Sequence, residues 1–516
     1  MSGSCKEPRP ATRGGYVGPV LLLLAACAHQ APHTPPPDPL VEARAAAAIA
    51  DKDQVLDQLR LASQTLAAGN DEEADRTLRA AVQEMQDFAA DGEFAAFVVS
   101  ERSKQWKGEP WEKAMAFLQL GFLRLADGDP GNALAMSKSA LLADTGSRQE
   151  RWGSDLIAGF ALQSLALADL GDSADAAAAL ERAIDAAWAR GLSDALTRSL
   201  AAIPPGDDPA ADHAARTLLL GGLPAGIAAH PRDPAAAVAG ARSWATDARM
   251  TALDGPRKAW PPALGDLKRS AVRVAFEAME PLAVAWAKAP IDPAILARIE
   301  SDQAELRAAL RPSSLLLVIE AGVGPTKQSR GKYDEQLVIV PGSGGRAPPV
   351  RLDGAPLLPA PLEDVSFQAT TRGGRRVDAF LAGKAVFEDA SLGVGYALAQ
   401  AGNLASWSEG QQSDEVAAVL WIAAGVVWLA GAISSPAADT RQWGLLPDSL
   451  WLVRADPGPG VHALEVGDRH YTVEIPDRGR VVRYLPALDP GGANRFGTPC
   501  VHCEPAPSPA LAIPAQ

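Results

Sequence analysis

The sequence predicts an α+β chain of several domains: an N-terminal α-solenoid of helical hairpins, then a β-sandwich-like domain carrying an apolar helical insertion. Three observations predict it. One pattern of small residues occurs three times in the same register over residues 55–190. Helical periodicity continues, with interruptions, to about Leu310, and from Ser314 it gives way to strand-like runs bounded by glycine and proline. Two apolar stretches, residues 390–405 and 416–433, then interrupt the strands.

The register is explicit. Ala62, Gly69, Ala74 and Ala81 are matched by Gly121, Gly128, Ala133 and Ala140, then by Ser164, Gly171, Ala176 and Ala183. Helices that cross closely need small side chains at the crossing, and a glycine between them supplies a left-handed turn. The spacing therefore describes a stacked helical hairpin, and it resembles the tetratricopeptide repeat, whose period is about 34 residues. Phe117 and Phe160 precede the first small position of the second and third repeats as bulky wedges. Asp71, Asp129 and Asp172 lie at the turns, where a carboxylate caps the second helix. Residues 87–111 hold an insert between the first two repeats. The resemblance implies a surface that binds partners rather than one that transforms substrates.

Composition narrows the partners. At 516 residues, with 47% hydrophobic and 21% charged, the chain is long enough for two or three domains. A formal net charge of -14 repels phosphate backbones, which excludes nucleic acid as a partner. Four cysteines, Cys5, Cys27, Cys500 and Cys503, make no disulfide framework.

The N-terminus has its own pattern. Lys6, Arg9 and Arg13 precede an apolar run over 16–26, and Leu24-Ala25-Ala26-Cys27 closes it. This resembles the lipobox of bacterial lipoproteins, which implies cleavage before Cys27, acyl chains on that residue, and firm membrane attachment. Ala28, rather than Asp, after the cysteine implies sorting to the periplasmic face of the outer membrane. Residues 29–39, HQAPHTPPPDP, read as a stiff tether.

Beyond Gly191 the reading is a helical capping region. PPGDDPAADH is a linker or long loop, and residues 216–286 read as short alanine-rich helices broken by prolines. Asp292 and Pro293 open an amphipathic helix with Ile295, Ile299, Leu306 and Leu310 inward. Strands are expected at 315–319, 336–340, 365–369, 377–381, 449–454, 461–466, 470–475 and 481–485, the last four joined by DPGPG, GD and PDRG turns. Between the first two, Glu320-Ala321-Gly322-Val323-Gly324-Pro325-Thr326-Lys327 lacks phosphate-loop spacing, and a strand-ending turn is the better account. The domain boundaries follow as 1–26 signal peptide, 27–40 tether, 41–191 repeats, 192–312 capping region, 313–490 β domain with insertion at 385–435, and 491–516 flexible tail.

Residues 416–433 carry no charge, close to the ~20 that span a bilayer, and the preferred reading is a buried helical pair with residues 390–405 rather than a membrane hairpin. Trp421 and Trp428 then serve as packing anchors. Asp439 and Arg441 suggest a structural ion pair. Cys500-Val501-His502-Cys503 offers three metal-ligand side chains where zinc needs four, so a local disulfide or idle thiols are the better reading, and His462 and His470 do not complete a site.

The order of lipobox, repeat helices, the E-x-G-x-G-P-x-K turn of 320–327, an apolar insert and A-D-T-R-x-W-x-x-L-P of 438–447 before the Gly460-Val461-His462 strand resembles a poorly characterised family of bacterial repeat-containing lipoproteins. That resemblance implies an envelope location and a role near cell-wall assembly. The functional expectation is a membrane-anchored, non-catalytic scaffold, lipidated at Cys27, that binds envelope proteins through its repeat surface. No catalytic, cofactor-binding or metal-binding residue is assigned, and no small-molecule substrate is identified. Two alternatives have other signatures: a membrane-inserted component of an export complex, using the 390–433 hairpin, and an envelope hydrolase, for which no serine elbow or metal-binding helix stands out.

Overall fold

The computed structural model describes residues 38–49, 51–86, 105–145, 156–229, 232–254, 269–289, 291–330, 336–371 and 438–487. Cys5, Cys27 and the leader, most of the tether, the expected strand at 377–381, the insertion at 385–435 and the tail with Cys500 and Cys503 lie outside them. The described residues form a mixed α+β structure, with helices in the N-terminal part and strands in the C-terminal part.

After a short helix α1 (Pro39–Ala47), capped by Asp38, come three helical hairpins: α2 (Gln54–Ala67) with α3 (Asp71–Gln86), α4 (Pro110–Ala126) with α5 (Pro130–Thr145), and α6 (Ile157–Asp169) with α7 (Ser173–Ala202). The three turns are built alike. Gly69, Gly128 and Gly171 take φ of 76°, 74° and 83°, which a side chain would strain. Each glycine N–H donates three residues back, to Leu66, Leu125 and Ala168, and the next N–H donates five residues back, to Thr65, Arg124 and Leu167. This double closure satisfies carbonyls that the helix end leaves free. The residue after each glycine then caps the following helix: Asn70 accepts from Glu73 N, Asp129 from Asn132 N and Asp172 from Asp175 N. In the first hairpin the cap is thus Asn70, not Asp71, because the capping position sits one residue after the glycine.

The small positions do close the crossings. Ala62, Ala74, Ala81, Ala133, Ala140 and Ala183 have no exposed surface, and a Cβ on Gly121 would stand 2.4 Å from Leu162 Cδ2. Phe117 and Phe160 are buried between the layers.

Helix α7 runs 30 residues, on through Gly191. A Cβ there would meet Ile299 at 2.9 Å, so the glycine serves a helix crossing rather than a boundary. Residues 216–286 are not short broken helices: α8 (Pro209–Ala229) and α9 (Pro234–Asp254) have 21 residues each and α10 (Arg269–Lys288) has 20, with Pro224 and Pro281 inside helices. Packing overrides the proline cost. Gly226 and Gly240 meet where α8 crosses α9, and a Cβ on Gly226 would be 2.1 Å from Ala237 O. Trp286 joins this group to α7 by donating to Leu196 O and Ser199 Oγ. Helix α11 (Pro293–Ala309), capped by Asp292, leads back to the strands with Ile299, Leu306 and Leu310 buried.

Strand β1 (Leu315–Ala321) is central, and every residue of it is buried. It pairs with β10 (Val481–Leu485) in parallel and with β7 (Ser449–Ala455) antiparallel, and β7 pairs with β6 (Ala360–Asp364). A second sheet runs β5 (Ala355–Leu357), β4 (Val350–Leu352), β8 (Gly460–Val466), β9 (Arg469–Ile475), while β2 (Thr326–Arg330) and β3 (Gln336–Val340) form a ribbon. The two sides of β1 meet different partners, as strand alternation requires. Leu315, Leu317 and Ile319 share a core with Val350, Leu464, Val473 and Ile475 of the second sheet. Leu316 and Val318 share one with Leu59, Phe122 and Phe160 of the helices. Residues 365–369 are helical, not a strand, within α12 (Val365–Thr371): Asp364 Oδ1 accepts from Phe367 N at 2.8 Å and ends β6 with a helix cap.

Candidate functional site

The first helices of the second and third hairpins face the sheet, and α2 meets the 438–447 segment through Ser63 and Arg60. Helix α4 is buried all round over residues 110–123, against β10 and α12, and α6 is buried over 157–162 and 164–167, against β6. The face that a free-standing repeat would offer to partners is therefore covered by the chain's own strands.

The two sequence motifs supply that cover. Lys327 Nζ lies 2.6 Å from Glu112 Oε2 and 3.7 Å from Glu109 Oε1, donates to Arg441 O at 2.9 Å, and sits 5.7 Å from the Trp106 ring centre. Glu112 closes the start of α4 by accepting from Glu109 N, and its other oxygen accepts from Trp443 N at 2.9 Å. Trp443 Nε1 reaches Ser63 Oγ of α2, and Trp106 Nε1 reaches Arg441 O. Arg441 binds Asp439 at 2.7 Å and Asp53 at 2.6 Å, so the expected ion pair exists and extends to the helical side. The side chains of Lys327, Glu109 and Glu112 are at most 2% exposed. Burial pushes the Glu112 carboxyl up, against the pull of Lys327. For Asp439 burial acts in the same sense, but the hydrogen bonds and charge of Arg441 outweigh it and hold the carboxyl low.

Glu320 makes a second joint. Its carboxylate accepts from Tyr484 Oη at 2.6 Å, Gln119 Nε2 at 2.7 Å and Ala487 N at 3.2 Å, which ties β1 to β10 and α4. Burial raises its pKa, and burial beside Glu320 raises that of Tyr484 well above the usual phenol value. Glu363 of β6 makes a third, accepting from Ala158 N at the start of α6 and from Gln368 Nε2. Gly324 lets the chain pass against Leu446 O and Pro447 O, each 2.8 Å from where a Cβ would stand. Within the E-x-G-x-G-P-x-K turn, Glu320 and Lys327 thus hold helices to sheet, while Gly322 and Gly324 allow close passage of other loop segments. Lys327, committed to two carboxylates, leaves nothing to cradle a phosphate.

His462 has a local role: Nδ1 lies 2.7 Å from Asp353 Oδ2 and Nε2 2.7 Å from Gly458 O, and the Asp353 contact raises its pKa. Among the described residues no group of three or more His, Cys, Asp or Glu is placed to hold a metal ion. The lipidation residue Cys27 lies outside the described residues.

The open surface is on the second helices. On α5 only Ala133, Ser137, Ala140 and Asp144 are buried. A groove of about 230 Å³ runs between α5, α6 and α7. Its floor is Leu134, Leu167 and Ala179, a small apolar cluster apart from the main core, and Lys138, Gln163 and Arg182 stand around it. The groove is not legible in the sequence, where Leu134 and Lys138 at a four-residue step are its one local sign. No protein-family model matches the chain, and comparison with curated proteins and with solved structures gives no match.

Proposed function

We propose that this chain is a membrane-anchored envelope lipoprotein that acts as a non-catalytic protein-binding scaffold. In this reading acyl chains on Cys27 hold it at the periplasmic face of the outer membrane, in a role near cell-wall assembly. The three hairpins form a short α-solenoid of the tetratricopeptide kind, and the two four-stranded sheets act as a β-sandwich-like support on its inner side. The observation that carries the proposal is the threefold repetition of one turn and one set of close crossings, with buried Lys327, Glu112, Glu320 and Glu363 spent on internal joints. Stacked repeats present extended surfaces whose specificity lies in their side chains. Here that surface is the row of second helices.

Two measurements test the reading. Metabolic labelling with an acyl-chain probe should mark the wild type and not Cys27→Ser, and equal labelling would reject the anchor. Crosslinking in intact envelopes should recover defined partner proteins with the full-length chain. Recovery of none would reject the scaffold.

A further inference from the structure

We infer that the groove between α5, α6 and α7 docks a polypeptide segment in which an apolar side chain lies beside acidic ones. The inference rests on the scaffold reading and assigns it a site and a partner chemistry. The groove volume of about 230 Å³ suits one or two side chains rather than a cofactor. Leu134, Leu167 and Ala179 give it a floor that favours an apolar anchor.

The polar groups define what flanks that anchor. Lys138 and Arg182 are exposed, and neither makes an ion pair among the described residues, in a chain of net charge -14. Lys138 of α5 and Arg182 of α7 both line the groove, so cations from two helices face the same opening. Arg182 is held over the Phe160 ring, 4.2 Å from its centre, which fixes its stem and leaves its edge free for a carboxylate. Asp175, in the first turn of α7, puts the one acidic lining group about two helical turns from Arg182. Gln163 Oε1 is buried and accepts no hydrogen bond, which offers an acceptor to a backbone N–H of the docked segment. Leu142, one turn beyond Lys138, is 73% exposed and extends the apolar surface along α5.

The test is selection of phage-displayed random peptides on the full-length protein in detergent, with affinities of the selected peptides read by fluorescence anisotropy. Peptides with Leu, Ile or Phe next to Asp or Glu should be enriched. Lys138→Glu combined with Arg182→Gln should weaken them about tenfold or more, and Ala178→Trp, at an exposed lining position, should block them. Unchanged circular dichroism and melting would show that the variants fold. No enrichment, a basic or purely apolar consensus, or indifference to both variants would overturn the inference. So would equal competition by an oligonucleotide or by anionic vesicles, which would mark a general anion surface. If crosslinked partners are still recovered by variants that no longer bind the peptides, the groove assignment fails while the scaffold stands. Loss of partners by the wild type itself would fail both.

Discussion

The joint between hairpins and sheet and the helical group of residues 209–309 hold together by different means. In the joint, buried carboxylates meet partners far along the chain: Lys327 reaches Glu112 across 215 positions and Tyr484 reaches Glu320 across 164. In the helical group the core is apolar, from Leu219 and Leu223 to Phe276 and Trp286, and ion pairs such as that of Arg242 with Glu280 lie at the surface. The contrast teaches where specificity resides. An apolar core tolerates many arrangements of similar volume, whereas a buried lysine between two glutamates accepts one register of sheet on helix.

The largest effect should come from breaking that joint. Lys327→Met leaves Glu109 and Glu112 buried without their cation, and loss of one partner of a buried pair costs about 3 to 5 kcal/mol. Urea denaturation of the full-length protein measures it. A loss below about 1 kcal/mol would mean that the ion cluster does not fix the sheet on the helices.

Next in size is a steric test of the other region. Gly226→Ala places a Cβ 2.1 Å from a backbone oxygen of α9, so one helix must move, and overpacking of this kind costs about 1 to 3 kcal/mol. The expected result is a lower melting temperature with the joint intact.

A pH titration sharpens the comparison because burial raises the pKa of carboxylates within the joint. Burial lifts Glu320 and Glu112 above the ordinary glutamate value, so the folded chain keeps these protons to higher pH than the unfolded chain. Their contribution is complete below that value and is lost as pH rises through the folded pKa. Each group so displaced adds a slope of up to about 1.4 kcal/mol per pH unit. Asp439 runs the other way: its lowered pKa adds stability above the ordinary carboxyl range that is lost as pH falls. Glu320→Gln should therefore flatten the decline on the alkaline side and leave the acid limb in place. An unchanged alkaline limb would remove Glu320 from the account.

The parts of this architecture that were legible in the sequence are those set by local backbone demands. Gly69, Gly128 and Gly171 need positive φ, and the strands of 449–485 alternate between turns rich in glycine, so both were read from spacing. Asp71, one residue after the true cap Asn70, offers the same chemistry, so the sequence alone does not single out Asn70. The helices containing Pro224 and Pro281 run longer than the sequence suggests, since their tolerance of proline comes from packing that a single sequence does not display. The apolar pattern of residues 365–369 suits a strand, and what makes them helical is the cap Asp364 supplies to Phe367 N. The Asp439–Arg441 pair is legible in the sequence and Trp443 stands in the 438–447 motif, but the joining roles of Glu112, Trp106 and Trp443 are not legible, because the groups they meet there lie hundreds of residues away.

The smallest effect belongs to the surface pair of the helical group. Arg242 and Glu280 are each about half exposed, at 47% and 51%. Their attraction is weakened by water and by salt, and two long side chains lose freedom to make it, so such pairs contribute about 0 to 1 kcal/mol. Arg242→Ala should shift the urea midpoint slightly in dilute buffer and not at all in molar salt. The same salt jump should leave the cost of Lys327→Met nearly unchanged, because counterions do not reach a site where the charged side chains are at most 2% exposed. If salt instead reduces both costs equally, the Lys327 cluster is solvated like the surface pair, and the distinction between a charge-registered joint and an apolar helical group fails.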